Sequence, residues 1–221
     1  TGKSMAIAQK ANGNGNPEYG LVWYQGAVQF QIRDTADAVG AYAQSSLLSI
    51  SNWHHVVGTV DRGSTNGLKI YVDGVLAQTV DPTGESGLLS NIGSLWMGYL
   101  PANPYATYFN GKIDEPRIYN RVLDSNEVMQ VYQSAFSSSL FPAGAVFRYS
   151  FDGVSGTNVT DLSGNGRDGV IEGGAAPVLG GGISGDGLTM DGVDDRVPVL
   201  NSSVLNLQSN FTVCVWIKRS G

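Results

Sequence analysis

The chain has 221 residues, 42% of them apolar and 14% charged, with 30 glycines and a formal net charge of −6. This is the composition of a turn-rich globular chain, not a disordered one; the acidic balance argues against nucleic acid as a partner, and no run approaches the roughly 20 apolar residues of a membrane span. The single cysteine, Cys214, excludes an internal disulfide framework and reads as a small buried hydrophobe.

Strand signals dominate in chain order. The opening "TGKSMAIAQK" is strand-like and has no lead-in. "EYGLVWYQGAVQFQIRD" reads as two strands joined by a tight turn at Gln25-Gly26, with Trp23 and Tyr24 on opposite faces so that one of the pair is exposed. "WHHVVGTVD" and "LKIYVDGVLAQTV" follow, the second broken by the two-residue hairpin signal Asp73-Gly74. "SLWMGYL" and "GKIDEPRIYN" are further strands, and Pro116 in the latter marks an edge position or a local bulge. "LDSNEVMQVYQSAF" alone has helical spacing, with Ser125 as N-cap and Val128, Val131 and Tyr132 as its apolar stripe. "SSSLFPAG" reads as a linker. Beyond it, "VFRYSFDG", "DGVIEGG", "GLTMDGVDDRVPV" and "FTVCVWIK" are strands, Phe211, Val213, Val215 and Ile217 alternating with Thr212, Cys214, Trp216 and Lys218 in the last. Many strands with almost no helix predict an all-β antiparallel sandwich.

"WHHVVGTVD", "LKIYVDGVLA" and "FNGKIDEPRIYNRVLDSNEVMQVYQ" together resemble the second half of a laminin G-like domain of the concanavalin A-like lectin/glucanase class. "FRYSFDGVSGTNVTDLSGNGRDGVI", "GLTMDGVDDRVPV" and "NFTVCVWIKRSG" resemble its first half. The resemblance implies a concanavalin A-like jelly roll whose halves stand in permuted order. Residues 1–135 are the C-terminal part, 136–145 the linker and 146–221 the N-terminal part. Joining Gly221 to Thr1 would restore an ordinary hairpin of the family. Residues 146–221 bury little without a partner sheet. They are therefore expected either to close on their own chain as a circular permutant or to complete a neighbour by strand exchange. A unit cut from a tandem array is the third outcome.

Candidate chemistry begins with metal. Asp152, Asn158, Asp161, Asn165 and Asp168 lie in one glycine-rich stretch. Oxygen ligands on a short loop suit Ca²⁺, and the same residues also serve as turn formers. The family resemblance implies that such a loop shares a calcium ion with the last strand, here through Asp114. The candidate ligands are therefore Asp152, Asn158, Asp161 and Asp114, with Ca²⁺ the candidate cofactor. A second cluster, Asp191, Asp194 and Asp195, reads as a hairpin neutralised by Arg196, with metal as the alternative.

Catalysis finds no constellation. Glu18, Glu85, Glu115, Glu127 and Glu172 are too scattered for the paired glutamates of a glycosidase. Asp114 and Glu115 would point to opposite faces of a regular strand, as would His54 and His55. No nucleophile elbow, P-loop or dinucleotide fingerprint is present. Trp96, Tyr99, Tyr105 and Tyr108 gather in a long connection, where they can pack on the core, contact a saccharide or contact a subunit. The leading expectation is a non-enzymatic extracellular structural subunit. It would assemble with itself through residues 146–221 into a filament or surface array. The alternative is a cell-surface lectin-like, carbohydrate-binding or adhesion module with a glycan partner, calcium-dependent if the metal site is real.

Overall fold

The structure, a computed structural model, describes residues 4–11, 17–34, 40–89, 93–99, 106–136 and 141–221. In chain order the strands before the helix are β1 (Ser4–Ala11), β2 (Pro17–Tyr24), β3 (Ala27–Ile32), β4 (Ala41–Gln44), β5 (Trp53–Asp61), β6 (Leu68–Val72), β7 (Val75–Val80), β8 (Leu95–Met97), β9 (Ala106–Thr107) and β10 (Asn110–Tyr119). Helix α1 (Ser125–Ser134) precedes β11 (Ala145–Arg148), β12 (Asn158–Val159), β13 (Gly169–Val170), β14 (Ala176–Val178), β15 (Gly187–Asp191), β16 (Val197–Val199) and β17 (Asn210–Arg219).

Two sheets face each other. One runs β12-β13-β16-β8-β1-β2-β3-β4, with β9 added parallel to β1. The other runs β14-β15-β10-β17-β5-β6-β7, with β11 on β10. The two stretches of chain on either side of α1 are interleaved in both. β16 lies beside β8, β15 and β11 lie beside β10, and β17 is inserted between β10 and β5. The main core is shared between the two stretches: Phe30, Val56 and Ile113 pack with Phe147, Leu188, Val213 and Ile217. Hydrophobic burial thus adds to the ladders in joining them.

Local chemistry explains the frame. Gln25 and Gly26 (φ 51° and 89°) and Asp73 and Gly74 (φ 51° and 82°) both take the paired left-handed conformation of a tight hairpin. Pro116 is not on an edge, because β10 has partners on both sides. Its ladder with β17 is interrupted between Asp114 and Arg117, and Glu115 has φ 50°, so the bulge reading is the one that holds. The helix cap lies one residue earlier than expected. The Asp124 carboxylate accepts from Asn126 N and Glu127 N, and Glu127 Oε2 accepts from Asp124 N, a reciprocal box that Ser125 does not make.

Strand β17 is covered on both faces. Phe211, Val213, Val215 and Ile217 enter the main core, while Cys214 joins Val57, Tyr71, Tyr119, Leu123, Val128 and Val131 under α1. Cys214 is indeed a buried thiol, its pKa pushed up to about 12 by burial, against the opposing charge of Arg117 and with a smaller push from Glu115. Trp23 is buried and Tyr24 half-buried. Among the described residues no helix is long and apolar enough to cross a membrane.

Candidate functional site

The bulge in β10 decides the local geometry. It interrupts strict alternation across Asp114, Glu115, Pro116 and Arg117, and all three charged side chains end up buried. Asp114 is engaged by backbone: its Oδ2 accepts from Ile183 N at 3.0 Å and Ser184 N at 3.3 Å, its Oδ1 from Glu115 N at 2.8 Å. Burial, followed by the charge of Glu115, raises its pKa to about 7. Glu115 pairs with the Arg117 guanidinium and lies 3.7 Å from that of Arg148. Burial pushes the Glu115 carboxyl up, against the opposing pull of these two arginines.

Arg148, on β11, faces the bulge because Arg117 and Arg148 are ladder partners. Both guanidiniums lie against Phe141, 4.0 and 4.5 Å from its ring centre, at cation–π distance. Two cavities are lined by this stack, and a third shares a residue with each of them. One of 250 Å³ is lined by Arg117, Tyr119, Phe141, Arg148 and Ser163 among others. One of 170 Å³ is lined by Glu115, Arg117, Phe141, Arg148, Asp152 and Trp216 among others. The third, of 320 Å³, is lined by Ser150, Asp152, Ser155, Asn158 and Thr160 among others. Asp152 belongs to the second and third, Leu162 to the first and third. Buried donors here are unsatisfied: Nε of Arg117, Nε of Arg148 and Nε1 of Trp216 have no hydrogen-bond partner among the described residues. Trp216 is fixed by stacking on Tyr132 at 5.4 Å and by the edge of Phe136 at 5.6 Å.

Of the residues expected to hold calcium, the structure brings Asp152 and Asn158 to one cavity and leaves the others elsewhere. Asp161 is a turn organiser. Its Oδ1 accepts from Arg148 N (3.1 Å) and Ser163 N (3.0 Å), its Oδ2 from Ser163 Oγ (2.8 Å) and Arg167 N (3.0 Å). Asp152 Oδ1 accepts from Asp186 N at 2.7 Å. Among the described residues Asp114, Asp152 and Asp161 do not converge as one group of carboxylates. Among the described residues the carboxylates that do converge are Asp191, Asp194 and Asp195.

The aromatic candidates separate as well. Trp96 packs over Ala6 and Ala11. Tyr99 and Tyr108 stack on one another, ring centres 4.1 Å apart and planes 15° from parallel. Tyr105 lies outside the described residues, and none of the other three lines the cavities. His54 bridges Asp73 (2.9 Å) and Ser49 (2.8 Å). His55 is buried against Trp216, and its pKa is lowered to about 3 by burial and by Arg117. Sequence reasoning missed Arg117, Arg148 and Phe141; the one signal for them was Pro116, which breaks the strand between Glu115 and Arg117.

The cavities offer fixed carboxylates, guanidiniums and hydroxyls. Such a set can bind a ligand that both donates and accepts hydrogen bonds. A laminin G-type family model, described as the concanavalin A-like lectin/glucanases superfamily, matches residues 1–129. No curated protein and no solved structure matches the chain.

Proposed function

The chain belongs to the concanavalin A-like lectin/glucanase superfamily, and on that premise we propose that it is a non-enzymatic, lectin-like adhesion module working outside the cell. Its ligand is a saccharide, held at the three cavities around Arg148 and Asp152. The observation that carries this reading is the unsatisfied donor set, Arg117 Nε, Arg148 Nε and Trp216 Nε1, beside the carboxylates of Glu115 and Asp152. Buried polar groups without partners favour a ligand able to complete them. Sugar hydroxyls, which donate to carboxylates and accept from guanidinium and indole N–H, have that capacity. Catalysis is not supported, because Asp114 is committed to backbone N–H groups and Glu115 to Arg117.

The same reading takes the module as closed within one chain, with the second half inserted into the sheets of the first. In this closure β17 lies between β5 and β10 of the same chain. A glycan array tests the ligand. Wild type should retain a defined set of glycans that Arg148→Ala and Asp152→Asn lose. A blank array on folded wild type, or hits unchanged in both variants, would contradict the reading.

A further inference from the structure

The turn that joins β15 to β16 carries a second, separate feature. Asp191, Asp194 and Asp195 each place a carboxylate oxygen within 4.8 Å of the other two. Asp191 and Asp194 are exposed, whereas Asp195 is only 3% exposed. Asp195 Oδ2 accepts from Asp191 N at 2.7 Å, which holds the side chain to the backbone of the turn. Its Oδ1 is buried and has no hydrogen-bond partner among the described residues. A buried carboxylate oxygen without a donor is costly, and like charges at this spacing repel.

The sequence suggests Arg196 as the neutralising partner, but the structure directs it elsewhere. Arg196 Nε donates to Glu172 Oε2 at 2.7 Å, and Nη1 reaches the backbone carbonyl of Asp194 at 3.4 Å. Among the described residues none of the ion pairs involves Asp191, Asp194 or Asp195. The orphaned Asp195 oxygen and the missing counter-charge call for the same thing, a cation.

We propose that this turn is a calcium site, with Asp195 the buried ligand and Asp191 and Asp194 the exposed ones. Three carboxylates on a short loop, with water free to fill the remaining positions on the solvent side, match the oxygen-rich and adaptable coordination that Ca²⁺ takes. The site is independent of the saccharide reading and uses none of the residues assigned there.

The test is calorimetric titration of the whole chain with CaCl₂, alongside thermal melts in calcium and in EDTA. Wild type should give a saturable one-site isotherm and a Tm that climbs with the logarithm of calcium concentration. Asp191→Asn combined with Asp194→Asn changes only exposed positions; it should abolish both responses while melting no lower than wild type in EDTA. Asp194→Asn alone should weaken calcium binding at least tenfold, and Asp161→Ala should leave the affinity unchanged. A flat titration of wild type, an unaltered affinity in the Asp194 variant, or loss of binding in the Asp161 variant would overturn the proposal.

Discussion

Val213 lies directly opposite Ile118, and both are buried in the same core. One belongs to the last strand and the other to the strand before the helix. The sheet that carries the candidate site is therefore complete only when the two stretches meet. The β10 bulge, the Arg117–Arg148 pair and the seat of Trp216 all depend on that meeting, because each uses residues from both sides of the linker.

The energetic counterpart is a test of the core. Ile217→Ala, in the middle of this seam and fully buried, should lower unfolding free energy by about 2–5 kcal/mol in urea denaturation. Val75→Ala, on the edge strand and 65% exposed, should change it by no more than about 0.5 kcal/mol. Comparable losses at the two positions would contradict this packing.

Asp161→Ala removes the acceptor of four hydrogen bonds that tie Arg148, Ser163 and Arg167 together. A loss of about 1–3 kcal/mol is expected. The loss should be equal in calcium and in EDTA, since this carboxylate organises a turn. A deficit seen only in calcium would make Asp161 a metal ligand instead.

His55 gives the chain an acid-sensitive component. Its folded pKa of about 3 lies below the ordinary 6.5, so the unfolded chain binds the extra proton between those values. Its contribution is whole above pH 6.5 and is lost as pH falls toward 3. Both ring nitrogens lack partners, so His55→Phe should raise stability by about 1–3 kcal/mol at neutral pH and flatten that acid limb. Denaturation curves from pH 3 to 8 for both proteins check the sign.

Asp114 works in the opposite sense. Its folded pKa of about 7 lies above the ordinary 3.8, so the folded chain keeps a proton that the unfolded chain has released. The associated stability is present below about pH 4 and is lost as pH rises to about 7. Relative to wild type, Asp114→Asn should therefore gain across that window and stay level above it. A wild-type advantage that grows with pH would contradict the burial of this carboxyl.

Much of the fold was legible in the residues. The turn pairs Gln25-Gly26 and Asp73-Gly74 need left-handed backbone, and their neighbours alternate, so the hairpins could be placed from composition alone. The expectation that the two stretches combine rests on the family resemblance, because no local pattern says which strands pair. The site was harder. Asp152, Asn158 and Asp161, all expected as calcium ligands, look alike in a glycine-rich loop, and nothing in the spacing tells that Asp161 accepts four hydrogen bonds. Arg117 and Arg148 meet through a ladder between β10 and β11, and Asp195 is orphaned because Arg196 turns to Glu172; neither relation leaves a trace in spacing.

The central claim is that one chain supplies both halves of its own sandwich, with β17 between β5 and β10. Size-exclusion chromatography with light scattering on the intact chain tests it most directly. A compact species of 23.3 kDa at every concentration is predicted. Multiples of that mass, or fibres that lengthen with concentration, would contradict closure within one chain.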